Sequence, residues 1–351
     1  MIQWQVFSMQ YFIYDKQGKK QALLQNCTSI QWLPKYWESG SFEIHARRTD
    51  DNDTYLVEGN RVVCTDRNEI GFITCVLYDA DTLEVRGRLD NLERRINYGT
   101  ATIRNIEKSL LQLVVDNKRG LDINVASPKG LTPSIKYGSD TSYDTLEESF
   151  KDYCQKGGLG WREVVHENIL NYLEIYQGET KQNAVFSDDL GNIKSQSYEE
   201  NMSEYKNFAF VLGEDTGDYR KKIEVDIRKD KSEEIRELYV DARDLQSTYK
   251  ENGEEKTYTS EEYEEMLRER GISKLEEKNK NALKFEFELD PYSQISELGK
   301  DYDLGDIVVV KSTQYKILAL ARVTELKFVE EANQDTQVSI TTEIESREVL
   351  Q

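Results

Sequence analysis

The chain carries only two histidines, His45 and His166. That scarcity argues against a His-rich metal centre and confines any Ser/His/Asp device to one of two rings. His45 falls in the run Ser41 to Ala46, where Phe42 and Ile44 alternate with it. It therefore belongs to the face of a strand opposite the apolar one, as a surface or interface side chain. Gly157, Gly158 and Gly160 invite comparison with a phosphate cradle. They lack the lysine and the serine or threonine of a P-loop and follow a helical stretch instead of a strand, so they read as a helix stop. Asp301, Asp303 and Asp306 begin like a calcium loop, but the later glycine and bidentate glutamate are not at the required spacing. A turn leading into a strand at Ile307 is the expectation. With 66 Asp and Glu in the chain, a carboxylate pair for glycoside hydrolysis could be drawn almost anywhere, so their abundance selects none. No catalytic, cofactor-binding or metal-ligating residue is assigned from the sequence, and no cofactor is expected.

The 351 residues suffice for two or three domains with real cores. The net charge of -20 would repel a duplex. DNA fits only as passing cargo, since walls along which a polyanion slides must not grip phosphates. Cys27, Cys64, Cys75 and Cys154 lie far apart with no CxxC pair, so ordinary thiols are expected, neither a zinc module nor a disulfide framework. Neither a signal peptide nor a membrane span is expected, because no apolar run approaches the ~18 residues that a span needs.

Ile2 to about Thr100 reads as short β runs between polar turns, a small β-barrel or sandwich that forms the first β domain over 1–100. Its clearest strand is Thr82 to Asp90, where Leu83, Val85 and Leu89 alternate with charged residues and Gly87 leaves one apolar-side position empty. Gly71 to Asp79 precedes it through an acidic hairpin turn, Asp79 to Asp81. Residues 101–207 read as an α/β insertion. One helix is expected over Ile103 to Lys118, with Ile106, Leu110, Leu113 and Val114 on its stripe. A second opens at Asp144 with Glu147 as a capping box and ends at Gly157 and Gly158. Strands are expected at Trp161 to Val165 and Asn171 to Gln177. A second β-barrel is expected from 208–239 plus 285–351, interrupted by a charged helical excursion over 240–284. That excursion contains a Thr259/Glu262 capping box and a Glu/Lys/Arg-rich helix interrupted at Gly271. In the last stretch, Ile307 to Val310, Tyr315 to Phe328 and Gln337 to Ile344 read as an antiparallel meander, with a bulge where the apolar phase slips between Leu320 and Val323. The fold class is thus β-rich α+β.

Several ordered motifs go further: Ser41 to Ala46 (SFEIHA), Leu89 to Arg95 (LDNLERR), Tyr205 to Glu214 (YKNFAFVLGE), Arg236 to Leu245 (RELYVDARDL), Leu267 to Glu277 (LRERGISKLEE) and Asp301 to Val310 (DYDLGDIVVV). Together they resemble the tail hub proteins of siphoviruses of Gram-positive hosts, prophages and phage-tail-like particles. The resemblance implies two tail-tube-like antiparallel β-barrels with α/β insertions. It also implies a homotrimer, pseudo-hexameric, that joins a sixfold tail tube to a threefold tip and lines the conduit. Implied partners are the tail tube or distal tail protein, a tip spike or fibre protein, and the tape-measure protein. The implied place is the tail tip or baseplate of a particle assembled in the bacterial cytoplasm. Because the chain ends soon after its last β runs, lytic activity is expected of another protein. Two other classes are weighed against the hub: a receptor- or glycan-binding tail module, which needs exposed clustered Trp or Tyr, and a cell-wall hydrolase.

Overall fold

The computed structural model describes residues 9–167, 169–251, 254–279, 283–290, 293, 295–332 and 334–349. It divides into two compact units, Met1–Ser197 with Phe285–Gln351, and Tyr198–Lys284.

The larger unit is organised by a 16-stranded sheet. Its main path runs through Ile193–Glu200, Leu283–Leu289, Gln337–Val349, Ile317–Glu331, Cys27–Leu33, Ser41–Arg47, Thr82–Arg88, Glu69–Tyr78, Gly160–His166, Ile169–Tyr176 and Asn124–Val125. Tyr11–Tyr14, Lys20–Leu23 and Arg61–Cys64 branch from Glu69–Tyr78, and Ile307–Ser312 with Thr180–Ser187 branch from Ile317–Glu331. The pairing is mostly antiparallel. Among the described residues no ring of hydrogen-bonded strands closes on itself, which corrects the expectation of two closed barrels. Alternation shows which face of a strand is apolar, whereas closure depends on partners hundreds of residues away. Phe328 lies opposite Trp32, for example.

The acidic hairpin forms as its sequence requires, Asp79 N–H donating to Thr82 O at 3.0 Å. On Thr82–Arg88, Leu83 and Val85 are buried. The empty position at Gly87 is filled by its neighbour: a Cβ there would lie 2.3 Å from Phe42 Cε1 and 2.2 Å from Phe72 O. Gly87→Ala should therefore cost about 1–3 kcal/mol through overpacking, read as a lower urea midpoint. The terminal meander also forms, with register shifts at Leu320/Ala321 and Val323/Glu325 where the phase slips.

Four α-helices occur among the described residues: α1 (Asp50–Tyr55), α2 (Ile106–Asn117), α3 (Leu146–Gly157) and α4 (Ser260–Asn279). α2 starts three residues later than its stripe predicts. Thr100–Asn105 is instead a strand paired with Ser134–Ser142, and the Asn105 side chain caps the helix by accepting from Lys108 N. The capping box of α3 is displaced by one residue, to Thr145 and Glu148. Asp144 is occupied by the Thr141 hydroxyl at 3.0 Å and Glu147 by Arg88, so neither is free to cap. Thr145→Ala should cost about 1 kcal/mol, measurable as a drop in thermal midpoint. α3 ends at Gly158, which adopts φ 62° and donates its N–H back to the last turn. Ile106, Leu110, Leu113 and Val114 of α2 pack with Phe150 and Tyr153 of α3 against Trp161 and Ile175.

The smaller unit is a three-stranded sheet with a helix. Phe208–Leu212 is central, antiparallel to Lys222–Asp226 and parallel to Glu237–Asp241. Ala209, Val211, Val225 and Val240 are buried, as are Tyr263, Met266, Leu267 and Leu275 of α4. The grouping of 208–239 with 285–351 suggested by β texture differs from this division, since 208–239 packs with the charged helix in a unit of its own. The Thr259/Glu262 box caps α4. The helix does not break at Gly271 but runs through it. Gly271 permits close packing: a Cβ there would meet Val211 Cγ2 and Val225 Cγ2 at 2.7 Å.

Candidate functional site

The larger unit buries a cluster of charged groups around a cavity of about 20 Å³, room for about one water. Trp32, carried inward by Cys27–Leu33, donates its indole N–H to Glu69 Oε2 at 2.6 Å. The other Glu69 oxygen accepts from Arg67 Nε at 2.9 Å, and Arg67 reaches on to Asp303 Oδ1 at 3.2 Å. Asp90, just past Thr82–Arg88, accepts from Leu92 N at 3.1 Å and faces Trp161 Nε1 at 3.4 Å. Glu163, on Gly160–His166, accepts from Asn91 N at 2.7 Å through one oxygen. Its other oxygen has no hydrogen-bond partner among the described residues. Burial pushes the Glu163 carboxyl well above its ordinary range, with the Asp90 charge adding to the rise. Burial raises Asp90 as well.

Two carboxylates with raised pKa values are what acid/base chemistry uses. The space beside these two has the volume of about one water and no room for a sugar ring. The cluster therefore acts on the protein's own architecture. Tyr36 has the same character: fully buried, it donates its hydroxyl proton to Gly158 O at 2.9 Å and accepts from Gly178 N at 3.1 Å.

The residues singled out in the sequence are dispersed. His45 pairs with Glu43 at 2.7 Å on Ser41–Arg47, and His166 stacks on Tyr172 at 4.7 Å. Asp306 Oδ1 accepts from Glu179 N and its Oδ2 from Asp303 N, while Asp301 accepts from Glu297 N. These carboxylates are spent on backbone amides in a turn that feeds Ile307–Ser312. Cys27, Cys64 and Cys154 are buried free thiols, and burial pushes Cys27 and Cys64 up to about 12. Among the described residues no group of three or more His, Cys, Asp or Glu could hold a metal ion, and no helix is long and apolar enough to cross a membrane. Asp90 and Glu163 were not selected by sequence reasoning. The available signal was the placement of Asp90 beside buried Leu89 in LDNLERR, and of Glu163 between Trp161 and Val164 in an apolar strand.

One half-buried carboxylate also organises structure. Asp188 accepts from Thr313 N, the Thr313 hydroxyl, Gln314 N and Gln196 Nε2. Although its partial desolvation opposes this, those hydrogen bonds hold its carboxyl well below the usual range. Its stabilisation is present above the unfolded carboxylate pKa and is lost as pH falls through the lower folded one. Asp188→Asn should remove that acid-side loss, so its unfolding midpoint should fall less than wild type between about pH 4 and the acid limit.

The sequence profile of the Siphovirus ReqiPepy6 Gp37-like protein family matches residues 109–342, more than half of the chain. The chain belongs to this family. The siphovirus tail resemblance carried by the ordered motifs is thereby met. No curated protein matches this Gp37-like chain. Among solved structures it is similar to the tail protein from Neisseria meningitidis MC58 at TM-score 0.63 and 12% identity, covering 96% of this chain and 97% of that one. The 43 kDa tail protein of prophage MuSo2 from Shewanella oneidensis aligns at TM-score 0.63 and 14% identity, covering 95% and 98%. Prophage tail protein gp18 from Listeria monocytogenes EGD-e aligns at 0.56 and 12%, covering 96% and 95%. The Gp37-like fold is thus a phage-tail fold over nearly its whole length, retained at identities where only the architecture is still comparable.

Proposed function

We propose that this Gp37-like protein is the structural hub of a tail tip or baseplate, three copies forming a pseudo-sixfold ring that joins a sixfold tube to a threefold tip and lines the conduit. The observation that carries the reading is the end-to-end likeness of the fold to three solved tail proteins, with 95–98% of each chain aligned. In this role it contacts the tail tube or distal tail protein on one side and a spike or fibre protein on the other. The tape-measure protein and DNA are passing occupants, and the net charge of -20 keeps a sliding polyanion from adhering. A scaffold role suits buried carboxylates beside a one-water cavity better than a hydrolase role does. Trp32, Trp37 and Trp161 are buried, so they offer no platform for a glycan.

Electron microscopy of particles carrying a tagged copy tests the proposal. Density for three copies at the junction of tube and tip is the expected result, and density confined to peripheral fibres would sink the hub.

A further inference from the structure

In a chain with a net charge of -20, cations without a carboxylate partner are conspicuous. Among the described residues Arg95 donates only to the carbonyls of Lys118, Arg94 and Arg119, at 3.0, 2.7 and 3.4 Å. Arg119 donates to Ile96 O at 2.9 Å and to Asn117 Oδ1 at 3.2 Å, and Lys118 to Ile123 O at 3.5 Å. None of the three forms an ion pair among the described residues.

Beside them stand Tyr98 and Tyr143, 76% and 63% exposed, edge to face with centroids 5.9 Å apart. Their positions are fixed from beneath. Buried Asn97 donates its side-chain N–H to Thr141 O at 2.8 Å and accepts through its carbonyl from Tyr143 N at 3.0 Å. Asn117 Oδ1 accepts from Tyr98 N at 2.9 Å. Tyr143 is held at φ 61°, a left-handed conformation that a bulky side chain adopts only when its surroundings impose it. Asp144 accepts from the Thr141 hydroxyl and Asp116 from Gln112, neutral donors that fix these carboxylates in place while the three cations outnumber them. The result is a rigid, cationic, aromatic corner, with the residue types that concentrate binding energy at protein interfaces.

The opposite chemistry lies at the far end of Thr82–Arg88. At the hairpin tip Leu77 and Tyr78 are 48% and 54% exposed. Asp79 and Asp81 follow, and Arg48 donates to Asp79 O, which brings the start of α1 with Asp50 and Asp51 alongside. Arg48 is paired with Asp53. Arg47 is the remaining cation on this edge, against four carboxylates that form no ion pair among the described residues. Seven residues of strand separate the tip from the segment leading to Arg95, roughly 20 Å at β-strand rise. One copy therefore cannot join its own two patches.

We propose that the corner formed by Tyr98, Tyr143, Arg95, Lys118 and Arg119 receives the acidic hairpin tip of a second copy of this chain. Charge complementarity and exposed apolar area select this occupant. The tyrosines stand edge to face, so they offer no parallel platform for successive bases. Two different patches in contact make a heterologous, head-to-tail interface, the type that closes into a ring. The inference deepens the ring reading above and names where its subunits meet.

The test places photoreactive p-benzoylphenylalanine at Tyr98 in the full chain and maps the products by mass spectrometry. The expected result is a covalent dimer whose crosslink falls within residues 74–86 of the second copy. Asp79→Lys with Asp81→Lys should weaken self-association about tenfold or more. Adding Lys118→Glu and Arg119→Glu to that chain should restore it, with unchanged circular dichroism throughout. Absence of a covalent dimer, crosslinks elsewhere, indifference to charge reversal, or binding of a single-stranded oligonucleotide at this corner would each overturn the inference. A ring seen in particles whose Tyr98 probe attaches elsewhere would remove this interface and leave the hub standing.

Discussion

Tyr36→Ala should destabilise the larger unit by about 3–5 kcal/mol, the range for emptying the site of a buried aromatic ring. That is a large share of the 5–15 kcal/mol that typically separates folded from unfolded chains. Tyr36 is fully buried where segments far apart in sequence converge. Its N–H donates to Thr324 O at 2.9 Å, and its hydroxyl bridges Gly158 O and Gly178 N. The ring meets Tyr176 edge-on at 5.4 Å and lies 5.7 Å from the guanidinium of Arg322. Arg322 is itself tied to Gly305 O at 2.9 Å and Glu345 Oε1 at 2.7 Å. Removing the ring leaves a cavity and orphans two partly buried backbone groups. Tyr36→Phe separates these contributions: it keeps the ring and should cost about 1–3 kcal/mol for the unpaired carbonyl and amide. Urea unfolding of both variants checks the argument. If the alanine variant unfolds no earlier than the phenylalanine one, the packing role is wrong.

The position of Tyr36 also shows what could and could not be read from the sequence. Strands with apolar/polar alternation were legible because their period sets both element and buried face: Ser41–Arg47 and Thr82–Arg88 formed where the pattern placed them. The turn at Asp79 to Asp81 and the stop at Gly158 were legible because few residue types suit those backbones. Pairing was not. Thr180–Ser187 lies parallel to Ile307–Ser312, and Cys27–Leu33 lies beside Ile317–Glu331, choices made by tertiary contact with no local signature. Barrels were expected from β texture and from the family resemblance, and a branched sheet without a closed ring among the described residues formed instead. Gly271 misled for a related reason: a glycine that weakens an isolated helix is tolerated where its missing Cβ lets the helix approach a sheet. Asp90 and Glu163 could not be told from the other acidic residues until the chain folded around them.

Those two carboxyls give the second large expected effect, and its sign is opposite to that of ordinary surface acids. Glu163 is fully buried with a raised pKa, so between the unfolded and folded pKa values the native state binds more protons than the unfolded state. Its contribution is fully favourable below the unfolded value near pH 4 and declines as pH rises through the folded one. Asp90 shifts in the same direction. At neutral pH the protein therefore bears the cost of ionising or holding protons on a pair it has sealed from solvent. Each pKa unit of elevation corresponds to about 1.4 kcal/mol. Glu163→Gln keeps the oxygen that accepts from Asn91 N and removes the charge. The variant should be the more stable protein at pH 8, with the advantage shrinking toward pH 5 as the pH approaches the unfolded-state carboxylate value. Urea unfolding at the two pH values measures that convergence. Equal destabilisation of Glu163→Gln at both would mean that the native state uses the ionised carboxylate, and the charge would then have to be satisfied by Arg61 or Arg94, the cations whose fields reach it.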